Sequence, residues 1–265
     1  MIVTVDGLTI EGGESARSYL QSLEKGSVEP TTTSLFRRAV QPGMVVVDVG
    51  AFLGQYSLLA ARQVGDAGKV FAFEPDPRNF PFLLKNVQRN GFADRIRTVP
   101  QAVSDRAGEV SFYLDPQVGS GSSLVFQRRR DAVTEIVRTV SLDEFLGDSI
   151  TPDLIKLDIE GGEIRALEGM AETVRRAGTH LTMIVECFPK ALRRSGGARG
   201  LVERLEDMGF QIYVIDEGGM RLLPITARRS SLWRFQLYLG IHSLLVVNFL
   251  CVRTLDHPVL VEAEG

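Results

Sequence analysis

Val45-Val46-Val47-Asp48-Val49-Gly50-Ala51-Phe52-Leu53-Gly54-Gln55-Tyr56-Ser57 decides the reading of this chain. A β-branched apolar run is followed by an acid, two spaced glycines and a helix start. That is the pattern of a buried strand turning sharply into a helix. Further on, Val70-Phe71-Ala72-Phe73-Glu74-Pro75 is a second apolar run that ends in an acid. An acid at the tip of the second strand of a Rossmann-like sheet is placed to grip the hydroxyls of a ribose. Together the two segments predict a site for an adenosine-containing cofactor.

The glycine spacing narrows that cofactor. The loop reads Asp48-x-Gly50-x-x-x-Gly54, and Phe52 stands where the dinucleotide fingerprint has its second glycine. That glycine lets backbone approach a pyrophosphate, so its absence argues against a nicotinamide-dependent dehydrogenase. An acid before a phosphate-free loop suits a cofactor that carries positive charge. S-adenosylmethionine (SAM), with its sulfonium, amino group and carboxylate, fits. Main-chain groups of the loop would hold its methionine part, with Asp48 acting directly or through water, and Glu74 would accept from both ribose hydroxyls.

Working outward, strands and helices alternate. Before the loop, Ile2–Ile10 reads as a hairpin turning at Asp6-Gly7, and Ser15–Glu24 and Thr31–Val40 read as helices. After the first strand, Val45–Val49, come a helix over Gly54–Gln63, a strand over Val70–Phe73, a helix over Pro77–Gln88 and a strand over Ile96–Val103. The rhythm then breaks into strands at Glu109–Leu114 and Ile136–Val140, a Gly/Ser-rich loop at Gln117–Ser123, and a capped short helix from Ser141. It resumes with strands at Leu154–Ile159, Leu181–Cys187 and Phe210–Ile215, helices at Glu163–Ala177 and Gly200–Met208, and a last strand at Leu244–Val252. Repeated βα units predict a largely parallel sheet covered on both faces. The expected organisation is an N-terminal hairpin-and-helix cap, 1–40, on a main domain, 41–265, with an excursion at 105–147.

Leu154–Gly161 is unusual for a buried strand, because Lys156, Asp158 and Glu160 alternate with Ile155, Leu157 and Ile159. Period-two alternation puts the three charges on one face. Unpaired charge buried there costs several kcal/mol, so the three must pair, reach the strand end or meet a ligand. One reading is an ion-pair network of Lys156 with Asp158 or Glu163. The other places Asp158 in the crevice at the carboxyl end, facing substrate, methionine amino group or metal, with Lys156 deeper as a support. Glu186, in Ile184-Val185-Glu186-Cys187, sits at the corresponding end of the next strand. Asp158 and Glu186 are therefore the candidate catalytic pair and the candidate ligands of Mg²⁺ or another divalent cation. The histidines, His180, His242 and His257, are poorly placed for a base.

Composition bounds the rest. A net charge of -3 and a pI near 5.7 argue against nucleic acid as partner, with Arg128-Arg129-Arg130 read as a solvated face. Cys187 and Cys251 both lie in apolar runs and read as reduced, buried thiols. No signal peptide is visible, and the apolar stretch from Ser231 to Val252 is interrupted by Arg234, Gln236, His242 and Asn248, so no membrane span is expected. A cytoplasmic protein follows; a homo-oligomer stays open. The acceptor pocket is expected from the N-terminal segment, Gln117–Arg130 with Ser122 and Ser123, and Asp216–Trp233.

Several segments together resemble the FkbM family of SAM-dependent methyltransferases. They are Val47-Asp48-Val49-Gly50-Ala51, Phe73-Glu74-Pro75-Asp76-Pro77-Arg78-Asn79 and Leu154-Ile155-Lys156-Leu157-Asp158-Ile159-Glu160-Gly161-Gly162-Glu163. Less sharply, they include Ala102-Val103-Ser104-Asp105 with Gly108, and Ser122-Ser123-Leu124. The family usually has Asn after Gly-Ala, where this chain has Phe52. The resemblance implies a Rossmann-like class I methyltransferase fold, a seven-stranded and mostly parallel sheet with its last strand antiparallel. It implies methyl transfer, often to a hydroxyl of a sugar or natural product, so the expected partner is a small hydroxylated acceptor. The cofactor-contacting set expected is Asp48, Gly50, Ala51, Phe52, Gly54, Tyr56, Ser57, Glu74, Pro75, Ser104 and Asp158. The competing readings are an RNA or protein methyltransferase, a non-catalytic SAM-binding protein and the dehydrogenase disfavoured above.

Overall fold

A computed structural model describes residues 1–114, 133–193, 196–227, 246–254 and 260. The chain opens with a hairpin, β1 (Ile2–Val5) and β2 (Leu8–Glu11). Val5 pairs with Leu8, and both turn residues have positive φ, Asp6 at 51° and Gly7 at 75°, as a two-residue type I′ turn requires. Helices α1 (Arg17–Glu24) and α2 (Pro30–Ala39) follow. The α2 N-terminus is served from a distance: the Glu217 carboxylate accepts from Thr31 N at 2.7 Å, Thr32 N at 3.0 Å and Thr32 Oγ1 at 2.6 Å.

The βα units are β3 (Val45–Val49), α3 (Gln55–Val64), β4 (Lys69–Phe73), α4 (Phe80–Arg89) and β5 (Ile96–Val99). The excursion holds β6 (Ala102–Val103), β7 (Gly108–Leu114), β8 (Val133–Val140) and α5 (Leu142–Leu146). Ser141 Oγ accepts from Glu144 N at 3.2 Å, the expected cap of α5. Then come β9 (Leu154–Leu157), α6 (Glu163–Glu168), α7 (Ala171–Ala177), β10 (Thr182–Cys187), α8 (Pro189–Leu192), α9 (Gly197–Asp207), β11 (Gln211–Asp216), β12 (Arg221–Ile225) and β13 (Val247–Val252).

Among the described residues the main sheet runs β12-β11-β13-β10-β9-β3-β4-β5. Strands β10, β9, β3, β4 and β5 are mutually parallel, and β13 enters antiparallel between β10 and β11. This is the expected Rossmann-like sheet with one strand more. The extra strand, β12, hairpins onto β11; its Pro224 is tolerated because β12 lies at the sheet edge. Alternate residues of each strand feed two apolar layers. Val47, Val49, Ile155 and Leu157 pack with Leu167, Val174 and Leu205 on one face. Val46, Val70 and Leu154 pack on the other with Leu58 and with Val3, Ile10, Leu20 and Phe36 of the N-terminal segment.

Beyond shifts of a few residues at element ends, three elements differ from expectation, each for a local reason. The predicted strand Ile96–Val103 divides at Pro100, and β6 leaves the main sheet to pair with β8. The helix expected over Glu163–Ala177 breaks at Gly169, where a Cβ would lie 1.9 Å from the Ser104 carbonyl oxygen. The strand expected over Leu154–Ile159 ends at Leu157, although Asp158 N still donates to Val49 O at 2.9 Å. Beyond it Glu160 (φ 57°) and Gly161 (φ 105°) swing the chain away from the sheet. Cys187 and Cys251 are buried and unbridged, and no helix among the described residues is long and apolar enough to cross a membrane.

Candidate active site

At the carboxyl ends of β3, β4, β9 and β10 lies a cavity of about 300 Å³. Gly50, Ala51, Phe52, Tyr56, Glu74, Pro75, Asp158 and Glu186, all candidate site residues from the sequence, line it. Asp48, Gly54, Ser57 and Ser104, the other residues expected at the cofactor, are not among those that line it. The Asp48 carboxylate lies beneath the loop, accepting from Ser57 Oγ at 2.6 Å, and burial raises its pKa. Gly54 is a packing glycine, since a Cβ there would meet Leu83 Cδ1 at 2.8 Å. Ser104 Oγ is turned to Asp105 Oδ1 at 2.9 Å.

The loop amides are engaged inside the protein. Gly50 N and Ala51 N both donate to Phe73 O, at 3.0 and 2.9 Å, and Gly54 N donates to Ala51 O at 2.8 Å. Phe52 N donates to Glu74 Oε2 at 2.8 Å. A pyrophosphate would find none of these four amides free, which strengthens the case against a dinucleotide. Glu74 is pinned from the other side by Asp76 N, which donates to Oε1 at 2.8 Å. Each carboxyl oxygen keeps acceptor capacity beyond that one bond, and Glu74 lines the cavity. Burial pushes Glu74 up to about 8, against the pull of those two amides.

Phe52 resolves the departure from the family pattern. Its φ is 52°, a left-handed conformation that Asn tolerates and Phe does not favour. The Phe52 ring sits edge-on to Tyr19, with centroids 4.9 Å apart at 82°, and forms part of the cavity wall. Phe52→Ala keeps the strain and loses the ring, whereas Phe52→Asn loses the ring and relieves strain. We expect Asn to be the more stable of the two by about 0.5–1 kcal/mol in urea unfolding; an Ala variant equal to or better than Asn contradicts this.

The charged segment does both things its sequence allowed. Lys156 is 2% exposed, and its Nζ lies 2.6 Å from Asp158 Oδ2 and 4.5 Å from the centre of the Tyr56 ring. Burial opposes its charge, but Asp158, Glu29 and Asp48 outweigh burial and hold the ammonium firmly protonated. Asp48 is its register partner on β3. Yet Lys156, Asp158 and Glu160 all line the cavity, so the ion pair is also part of the site and Lys156 is not merely a deep support. Glu186 is 6% exposed, and its Oε2 has no hydrogen-bond partner. Burial, then the Asp158, Glu160 and Glu163 carboxylates, raise its pKa well above the usual range. Glu163 supports the turn by accepting from Gly161 N at 2.9 Å, and burial pushes it up to about 7.

Asp158 and Glu186 fit a divalent cation poorly. Lys156 already occupies Asp158 Oδ2, and among the described residues no three His, Cys, Asp or Glu side chains are grouped for a metal.

Sequence reading missed Tyr19, Glu29, Gln55, Asn79 and Gln101 on the cavity wall. Glu29 links three elements: its Oε2 accepts from Tyr56 OH at 2.7 Å and its Oε1 from Asn248 Nδ2 at 2.6 Å. The one available signal was an acid directly before a helix-opening proline. The N-terminal segment thus contributes to the cavity as expected, while 216–227 do not line it. Ser122, Ser123, Arg128, Arg129, Arg130, Trp233, His242 and His257 lie outside the described residues.

Residues 48–212 match the methyltransferase FkbM domain. Methyltransferase sdnD of Sordaria araneosa is 26% identical over 222 residues, covering 70% of this chain and 82% of that protein. The hexuronic acid methyltransferase AglP of Haloferax volcanii is 27% identical over 173 residues, 62% of this chain and 67% of AglP. The 2-O-methyltransferase NoeI of Sinorhizobium fredii is 25% identical over 194 residues, 64% of this chain and 76% of NoeI. In fold, the chain is similar to a SAM-dependent methyltransferase from Aquifex aeolicus, with a TM-score of 0.50, 13% identity, and coverage of 92% of this chain and all of that one.

Proposed function

The chain belongs to the FkbM family of SAM-dependent methyltransferases, and from that membership we propose that it methylates a hydroxyl oxygen of a sugar, glycolipid or natural product. The names of AglP and NoeI, a hexuronic acid methyltransferase and a 2-O-methyltransferase, support that acceptor class. The observation that carries it is a cavity whose wall includes both Glu74 after β4 and Asp158 after β9.

SAM, when bound, supplies an electrophilic methyl group on a sulfonium. In this reading Glu74 accepts from the ribose hydroxyls with its free lone pairs, while Phe73 and Ala102 flank the nucleoside in the apolar part of the wall. Asp158 takes the proton of the attacking hydroxyl, and Lys156 fixes the orientation of its carboxylate through Oδ2. Glu186 donates to or accepts from the acceptor with its unused Oε2. Proximity does most of the remaining work, since an in-line displacement needs oxygen and methyl carbon about 3–3.5 Å apart.

The test incubates the protein with SAM and a panel of hydroxylated glycosides, with and without EDTA. The expected result is a product heavier by one CH₂ that resists base hydrolysis, formed at an undiminished rate in EDTA. Methylation confined to nitrogen or carbon acceptors contradicts the proposal, and loss of activity in EDTA contradicts the metal-free reading.

A further inference from the structure

The cavity has two unlike ends. Glu74 follows β4 and Glu186 lies in β10, three strand spacings away across β3 and β9, about 14 Å. If the nucleoside lies at the β4 end, the acceptor enters over β9 and β10. That end is walled by Glu29, Asp158, Glu160 and Glu186. Among the described residues the only basic side chain on the wall is Lys156, and its ammonium is already paired with Asp158 at 2.6 Å. Glu186 adds an independent observation: a side chain nine-tenths buried, on the cavity wall, whose Oε2 has no partner within the protein.

We propose, resting on the methyltransferase reading above, that the acceptor end ranks hydroxylated substrates by charge: amine-bearing over neutral, and neutral over carboxylated. A carboxylated acceptor meets like charges and finds no uncommitted cation on the described wall, a desolvation cost without a partner. An ammonium beside the reacting hydroxyl gives Glu186 Oε2 the partner it lacks, offsets the burial and neighbouring carboxylates that disfavour its ionised form, and shares the wall with Glu29, Asp158 and Glu160. A neutral acceptor gains a hydrogen bond at Glu186 but no charge pairing.

The test titrates the protein, loaded with S-adenosylhomocysteine, with three methyl glycosides on one scaffold: 2-amino-2-deoxyglucoside, glucoside and glucuronide. The expected order is the aminoglucoside about tenfold tighter than the glucoside, and the glucuronide at least about tenfold weaker. Glu186→Gln, which keeps the shape, is expected to shrink the amine preference to within about threefold. Glucuronide binding as tight as glucoside overturns the proposal, and so do three equal affinities, whether strong or undetectable. Full amine preference in Glu186→Gln overturns the assignment to Glu186. Loading with S-adenosylhomocysteine is measured first: failure there unseats the methyltransferase reading, whereas loading without a charge ranking unseats only this inference.

Discussion

Asp158→Asn is expected to lower kcat by about 10²–10⁴ while the protein still folds. The two effects separate because of what Asp158 touches. Its Oδ2 accepts from the buried Lys156 ammonium, and an Asn carbonyl oxygen can occupy the same place. Lys156 also keeps its position over the Tyr56 ring and the nearby Glu29 and Asp48 carboxylates. The stability cost is therefore about 1–3 kcal/mol, well below that of abandoning a buried charge. What Asn cannot do is take the hydroxyl proton. Single-turnover methyl transfer alongside thermal unfolding checks this. A kcat within threefold of wild type removes Asp158 from the chemistry, and an unfolded variant shows the pair to be structural first.

Gly50→Ala is expected to cost about 3 kcal/mol or more and to disrupt the cavity. Gly50 has φ 87°, and a Cβ there would stand 1.8 Å from the Asp158 carbonyl oxygen and 2.9 Å from its carbon. Both obstacles are backbone, so relief requires β3 and β9 to part where Asp158 N bonds Val49 O. Gly91→Ala is the control. Gly91 has φ 73°, and an added methyl there would meet nothing within 4 Å, so only the left-handed penalty of about 1–2 kcal/mol applies. Chemical denaturation of both variants decides: costs that match within error would mean that the contact at Gly50 is easily relieved.

The sheet was legible because its strands are short, β-branched or aromatic apolar runs flanked by Gly and Pro, and Val45–Val49 matches to the residue. Glu74 and Asp158 were legible because an acid at the end of an apolar strand has few structural uses. The cofactor loop was legible as a segment but not residue by residue. Asp48, Gly54 and Ser57 flank the same strand-to-helix turn as Gly50, but Ser57 bonds Asp48 and Gly54 packs against Leu83. Sequence order shows membership of the turn and not the side of it that faces the cavity. Glu29 and Asn248 were illegible for a different reason: they are 219 positions apart and meet only because the N-terminal segment packs over the sheet. The breaks at Pro100 and Gly169 left clear punctuation, but only the Ser104 carbonyl against Gly169 explains why a helix must stop there.

Calorimetric titration with SAM of the wild-type protein and of Glu74→Gln tests the central claim most directly. Glu74 holds two backbone amides and keeps acceptor capacity beyond those bonds on the cavity wall. In Glu74→Gln an NH₂ group faces one of those amides, and one of the two oxygens that would receive the ribose is lost. The account predicts saturable one-site binding by the wild type and an affinity about tenfold to a hundredfold weaker in the variant. No saturable binding of SAM by the wild type, or equal affinity in the two proteins, would contradict it.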